Sequence, residues 1–156
     1  MKLAVAIGIL ILIPIALRLA MPTLTKASAA TGVVSLAGAN QLGDCPDKPN
    51  CQCSEASSES QRVDRLPVAN GADDAISRIA AFLQSQPGAA VVDQSQRYLH
   101  STFTTSLMGY VDDVEFLLSD DDQSVQIRSA SRLGYSDMGA NAKRVQNLRQ
   151  GLASVL

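Results

Sequence analysis

Three carboxylates fall within four residues of this chain, Asp112, Asp113 and Glu115, and its single histidine, His100, lies a short way upstream. Clustered acids can share acid–base work or hold a hard cation, and an imidazole changes charge near neutral pH. Arg128 and Arg132 follow, and guanidinium groups stabilise developing anions. The catalytic candidates are therefore His100 and Asp112, with Arg128 and Arg132 as anion stabilisers in a hydrolase or lyase. Two features weigh against that chemistry. No Ser or Cys is evidently placed as a nucleophile beside His100, and alternation along a strand sends Asp112 to one face and Asp113 with Glu115 to the other. The leading expectation is an ion-pair lattice in which Asp113 and Glu115 offset Arg128 and Arg132 on an exposed sheet face. Asp120-Asp121-Asp122 shares only acidity with a calcium loop, lacking the alternating ligands, central Gly and distal Glu, and reads as a solvated turn. No metal ion and no cofactor is expected.

These side chains must be positioned by elements that the hydropathy pattern outlines. Asn70-Gly71 signals a turn, after which Asp73 is expected to cap a helix with Ala75, Ile76, Ile79, Ala80 and Leu83 on one face. Pro87-Gly88 ends it. Val91 and Val92 suit a short strand over Ala89 to Gln94, and Tyr98 to Leu107 is β-rich. The clearest pattern is a hairpin, Tyr110 to Leu118 and Val125 to Leu133, about the turn Ser119 to Ser124. A symmetric register pairs Leu118 with Val125, Phe116 with Ile127, Val114 with Ser129, Glu115 with Arg128 and Asp112 with Ser131. Asp112 then lies on the apolar face, where Ser129 and Ser131 are expected to supply its hydrogen bonds. A last helix carries Val145, Leu148, Leu152 and Val155 in one stripe, capped by Asp137 or Asn141. The polar segment from Ser136 to Arg144 is read as the corner that fixes the strand-to-helix turn. The fold class is α+β: about four antiparallel strands with both helices on one face, preceded by an N-terminal hydrophobic helix.

Leu3 to Leu17 is a run of fifteen residues without charge. Two readings follow, an uncleaved membrane anchor over 1–22 or a signal peptide cut near Ala27-Ser28-Ala29. Residues 23–44 read as a flexible tether and 45–156 as the domain. Cys45, Cys51 and Cys53 cluster around a Pro-containing turn, which suggests a small disulfide loop in an oxidising compartment. The competing thiolate metal site lacks a clear fourth ligand. From residue 30 onward ten basic residues stand against fifteen acidic ones, a net charge of −5, which disfavours nucleic acid as a partner.

The blocks Cys45-Pro-Asp-Lys-Pro-Asn-Cys51, Tyr98-Leu99-His100, Tyr110 to Phe116, Arg128 to Gly134 and Ser136 to Val145 resemble, in order, the domain-of-unknown-function family 1499. The resemblance runs from about Cys45 to Leu152 and implies an envelope-associated domain of bacteria or plastids. It implies no activity. The chain departs from the family pattern at the extra thiol of Cys53. Cys45 thus has two available partners, with Cys45–Cys51 the expected bridge.

The readings carried forward are three. The first is a binding or accessory domain at the bacterial inner membrane, facing or secreted to the periplasm. Its partner would be an envelope protein or a small anionic ligand, met by Asp113, Glu115, Arg128, Arg132, Asp137, Asn141 and Arg144. The second is the hydrolase or lyase, and the third a thiol- or metal-handling protein built on Cys45, Cys51 and Cys53.

Overall fold

The computed structural model describes residues 15–16, 19–20, 40–69 and 71–156. The expected leader over 1–22, the tether up to residue 39 and Asn70 of the turn signal lie wholly or largely outside those residues. Among the described residues no helix is long and apolar enough to cross a membrane.

Within residues 40–156 eight elements are described, in order: β1 (Cys51–Cys53), β2 (Leu66–Pro67), α1 (Ala75–Gln84), β3 (Ala89–Gln94), β4 (Tyr98–Thr104), β5 (Val111–Leu118), β6 (Ser124–Ser131) and α2 (Ala140–Leu152). The sheet is antiparallel and has six strands rather than about four, in the order β1-β6-β5-β4-β3 with β2 also paired to β6. The two additional strands are three and two residues long. Pieces so short hold too few residues for alternation to signal a strand, and they form on the edge that β6 offers them. Cys51 pairs with Ala130, and Leu66 with Val125.

The β5–β6 hairpin has the register expected from a symmetric turn, from Leu118↔Val125 through Glu115↔Arg128 to Asp112↔Ser131. Strand β4 is shorter than its β-rich sequence, and Leu107 stands 74 % exposed in the turn beyond it. On one face of the sheet Leu99, Val114, Phe116, Leu118, Val125 and Ile127 share a core with Ile76, Ile79 and Leu83 of α1 and Val145, Leu148 and Leu152 of α2. The buried face of α1 is the one its spacing predicts. Its N-cap is Asp74 rather than Asp73, and the capping side chain makes no bond to the helix backbone, forming instead an ion pair with Arg78.

The other face is covered too. Leu42, Cys45, Cys53 and Ala56 pack on Tyr98 and Leu117, and Cys45 also meets Cys51 and Ala130. The backbone N–H of Leu42 donates to Gln126 Oε1 at 2.8 Å, and Gln126 Nε2 donates to the Asn40 carbonyl at 3.1 Å. Leu42, assigned by sequence to the tether, is therefore part of the packed unit. The sheet is a middle layer, with helices on one side and, on the other, the parts of the 40–61 segment that flank β1.

Candidate functional site

The polar residues singled out by spacing separate into two groups, one on each face. Under the 40–61 segment, Glu115 accepts from Arg128 Nη1 at 2.9 Å through Oε2 and from the Tyr98 hydroxyl at 2.8 Å through Oε1. Asp113 takes a two-pronged contact from Arg132, Nε to Oδ2 at 2.9 Å and Nη2 to Oδ1 at 2.7 Å. His100 Nε2 lies 2.8 Å from Asp113 Oδ1. The expected pairings are present, but their setting differs. Asp113, Glu115 and Arg128 are 0 % exposed and His100 only 8 %, so this lattice is interior rather than on an open sheet face. The physical reason is the covering segment, pinned by its disulfide and by Gln126. Burial raises the stakes, since an ion pair taken out of water is stable only while each charge keeps its partner. Hydrogen bonding to Asp113 raises the pKa of Arg132 above its ordinary value. Burial, reinforced by the neighbouring Glu115 carboxylate, pushes the Tyr98 phenol well above its usual range.

Asp112 belongs to the opposite face, opposite Phe103 and Ser131 in register. The structure therefore does not bring Asp112 together with His100, Arg128 or Arg132, the set on which the hydrolase or lyase reading rests. Its partner is Arg144, whose Nη2 donates to Oδ2 at 2.5 Å and whose guanidinium sits 5.1 Å from the centre of the Phe103 ring. The serines expected to satisfy Asp112 bond elsewhere. Ser129 Oγ donates to Asn141 Oδ1 at 2.6 Å, and Ser131 Oγ accepts from Asn141 Nδ2 at 2.9 Å. Spacing along the hairpin could name the residues beside Asp112 but not the helical arginine that lands on it.

The polar corner after β6 is built on Asn141 and Asp137. The Asp137 carboxylate accepts the backbone N–H of Gly139 at 2.9 Å and of Asn141 at 2.7 Å, satisfying donors that the start of α2 leaves open. Asn141, fully buried, also reaches the Asn50 carbonyl at 2.9 Å, and its Oδ1 accepts from Arg144 Nη1 at 2.6 Å. Asn50, whose Nδ2 also donates to the Gly134 carbonyl at 2.9 Å, has no signal in the sequence because it reaches the corner from a distant loop.

Beside this corner a cleft of about 300 Å³ opens between the start of β5, the end of β6 and the 134–140 turn. Tyr110, Val111, Leu133, Met138 and Ala140 give it apolar walls; Thr105, Asp112, Ser131, Ser136 and Asp137 are its polar lining. Met138 holds a left-handed backbone, φ 54°, and is 99 % exposed. Its neighbour Tyr135 is 70 % exposed. Of the residues expected to bind, Asp137 lines the cleft, while Asn141 and Arg144 hold its framework from behind.

A family model described as a protein of unknown function, DUF1499, matches residues 41–152. The chain belongs to the DUF1499 family. No curated protein matches it. The matched stretch begins one residue before buried Leu42 and ends on Leu152, the last residue of α2. The DUF1499 unit thus takes in both outer layers of the sheet.

Within the DUF1499 unit Cys45 and Cys51 form a disulfide, Sγ–Sγ 2.02 Å, and Cys53 is a free buried thiol. Burial pushes the Cys53 pKa up to about 11. A thiol so protonated is a poor nucleophile and a poor metal ligand. Among the described residues no group of three His, Cys, Asp or Glu side chains is arranged to hold a metal ion.

Proposed function

We propose that this DUF1499 domain is an extracytoplasmic accessory module, tethered to or released from a bacterial inner membrane, that binds a ligand in the cleft at the 134–140 corner. The uncharged run Leu3 to Leu17 supports a membrane-directed leader. The Cys45–Cys51 bridge supports an oxidising compartment. One observation carries the binding reading: a concave, mostly apolar cleft with a buried carboxylate in its lining and a fully exposed methionine on its rim. The acid–base candidates give catalysis no comparable support, because His100 is 8 % exposed and engaged by Asp113 while Asp112 faces the other way.

The cleft also bears on the expected choice between an envelope protein and a small anionic ligand. The arginines proposed to meet an anion already hold carboxylates: Arg128 with Glu115, Arg132 with Asp113, Arg144 with Asp112. A small ligand that brings its own donors fits the cleft better than an anion. Ligand-observed NMR with a fragment set, using the full chain in detergent, tests the reading. Fragments should bind the wild type and be displaced in Ala140→Phe, which fills the cleft, at an unchanged Tm. Fragments that bind both proteins equally would overturn it.

A further inference from the structure

Resting on the reading of the corner cleft as the ligand site, we infer that its ligand is a small primary alkylammonium. Its charged end would meet Asp112 and its aliphatic body the walls formed by Tyr110, Val111, Leu133 and Met138. Asp112 is 3 % exposed and lines the cleft. Its Oδ2 is taken by Arg144 at 2.5 Å. Among the described residues no group donates to Oδ1, and that oxygen is not among the sealed buried atoms that lack a bond. One carboxylate oxygen therefore keeps an open lone pair toward the cleft. A carboxylate held by Arg144 through one oxygen can therefore accept a further donor through the other.

The charge of the lining selects the donor. Asp112 and Asp137 both line the cleft, and among the described residues no basic side chain does. Arg144 balances Asp112 from outside the lining, and the Asp137 oxygens accept only from neutral groups, the amides of Gly139 and Asn141. A cation is thus favoured over a neutral donor, and an anion is opposed by both acids. The donor requirement then separates cations. A primary ammonium offers three N–H groups and can reach Asp112 Oδ1 and the hydroxyl of Ser131, which stands directly across the hairpin from Asp112. A quaternary ammonium feels the same acidic lining and the ring of Tyr110 but has no N–H to donate to Asp112 or Ser131. The volume, about 300 Å³, is at the small end for ligand pockets and suits a short alkyl chain. Such an alkylammonium could be a free amine or the headgroup of an aminophospholipid.

The experiment uses the isotope-labelled full chain in phosphatidylcholine nanodiscs, titrated with hexylamine, hexanol, hexanoate and hexyltrimethylammonium while amide shifts are followed. Hexylamine should saturably shift Val111, Asp112, Ser131 and Met138. The three analogues should bind at least about tenfold more weakly, the loss expected when a charged hydrogen bond is removed. Asp112→Asn should lose a similar factor for hexylamine alone. If that variant unfolds, the analogue series still decides, because it changes only the ligand. Hexanol or hexanoate binding as tightly as hexylamine would overturn the ammonium assignment and leave the cleft as a ligand site. No shift at those amides with any compound would overturn both. With the ammonium preference found, phosphatidylethanolamine in the nanodisc separates the sources: weakened hexylamine binding assigns the headgroup, unchanged binding a soluble amine.

Discussion

Cys53 and Tyr98 are acids that the packed state holds in their protonated forms, one beside the disulfide loop and the other against Glu115. For Cys53 the pKa rises by burial from 9.0 to about 11. A raised folded pKa means that the unfolded chain gives up its proton first. The stability held by the neutral thiol is complete below pH 9 and is lost progressively as pH climbs to about 11. Melting curves collected from pH 8 to 11 should show Tm falling over that window, and Cys53→Ala should flatten the fall; parallel profiles would contradict this account of the thiol. The same burial sets reactivity. Iodoacetamide should label no cysteine in the native protein, one after denaturation and three after denaturation with reductant, counted by mass spectrometry. Met138 presents a different residue-scale tension, a fully exposed side chain on a left-handed backbone. Met138→Gly should raise stability by about 1 kcal/mol in chemical denaturation, since glycine accepts that conformation freely. Under the proposed function it should also weaken ligand binding.

Elements show where local sequence was enough and where it was not. The turn between α1 and β3 closes on Gly88, whose φ is 77° and whose added Cβ would lie 2.4 Å from the Thr104 carbonyl oxygen on β4. Gly88→Ala should therefore cost more than about 1 kcal/mol, measured by urea unfolding, through both the forbidden backbone and the collision. The turn signal at Pro87-Gly88 was legible because it depends on the residues themselves. So was the β5–β6 register, in which alternation by two and a polar turn leave little freedom. The cover on the polar face was not legible. Segment 40–61 is rich in polar and small residues, and its packing rests on Leu42, a disulfide and main-chain bonds to Gln126 and Ile127. None of these has a periodicity. The meeting of Arg144 with Asp112 was equally hidden, because it depends on how α2 lies across the sheet. Both omissions moved the candidate site. A polar sheet face read as open became interior, and the corner, read as a structural turn that also held the binding candidates Asp137, Asn141 and Arg144, became the wall of a cleft.

At the scale of the whole molecule, one sheet has an apolar core on its helical side and a charged interior on the other, each sealed by its own layer. That division assigns separate tasks to residues that look alike in sequence. Asp113 and Glu115 hold the interior together, whereas Met138 and Ser136 border the cleft and carry little packing. The most direct test is a comparison of Tm values for Asp113→Ala, Glu115→Ala, Met138→Ala and Ser136→Ala in the full chain. Glu115→Ala takes the partner from the fully buried Arg128 and should cost about 3 kcal/mol, near 10 °C in a domain of this size, and Asp113→Ala, which faces the partly buried Arg132, should cost somewhat less but still several degrees. The two rim changes should stay within about 2 °C of wild type. Interior variants melting like the wild type, with rim variants collapsing, would contradict the assignment of the charged sheet face to the fold and the corner to binding.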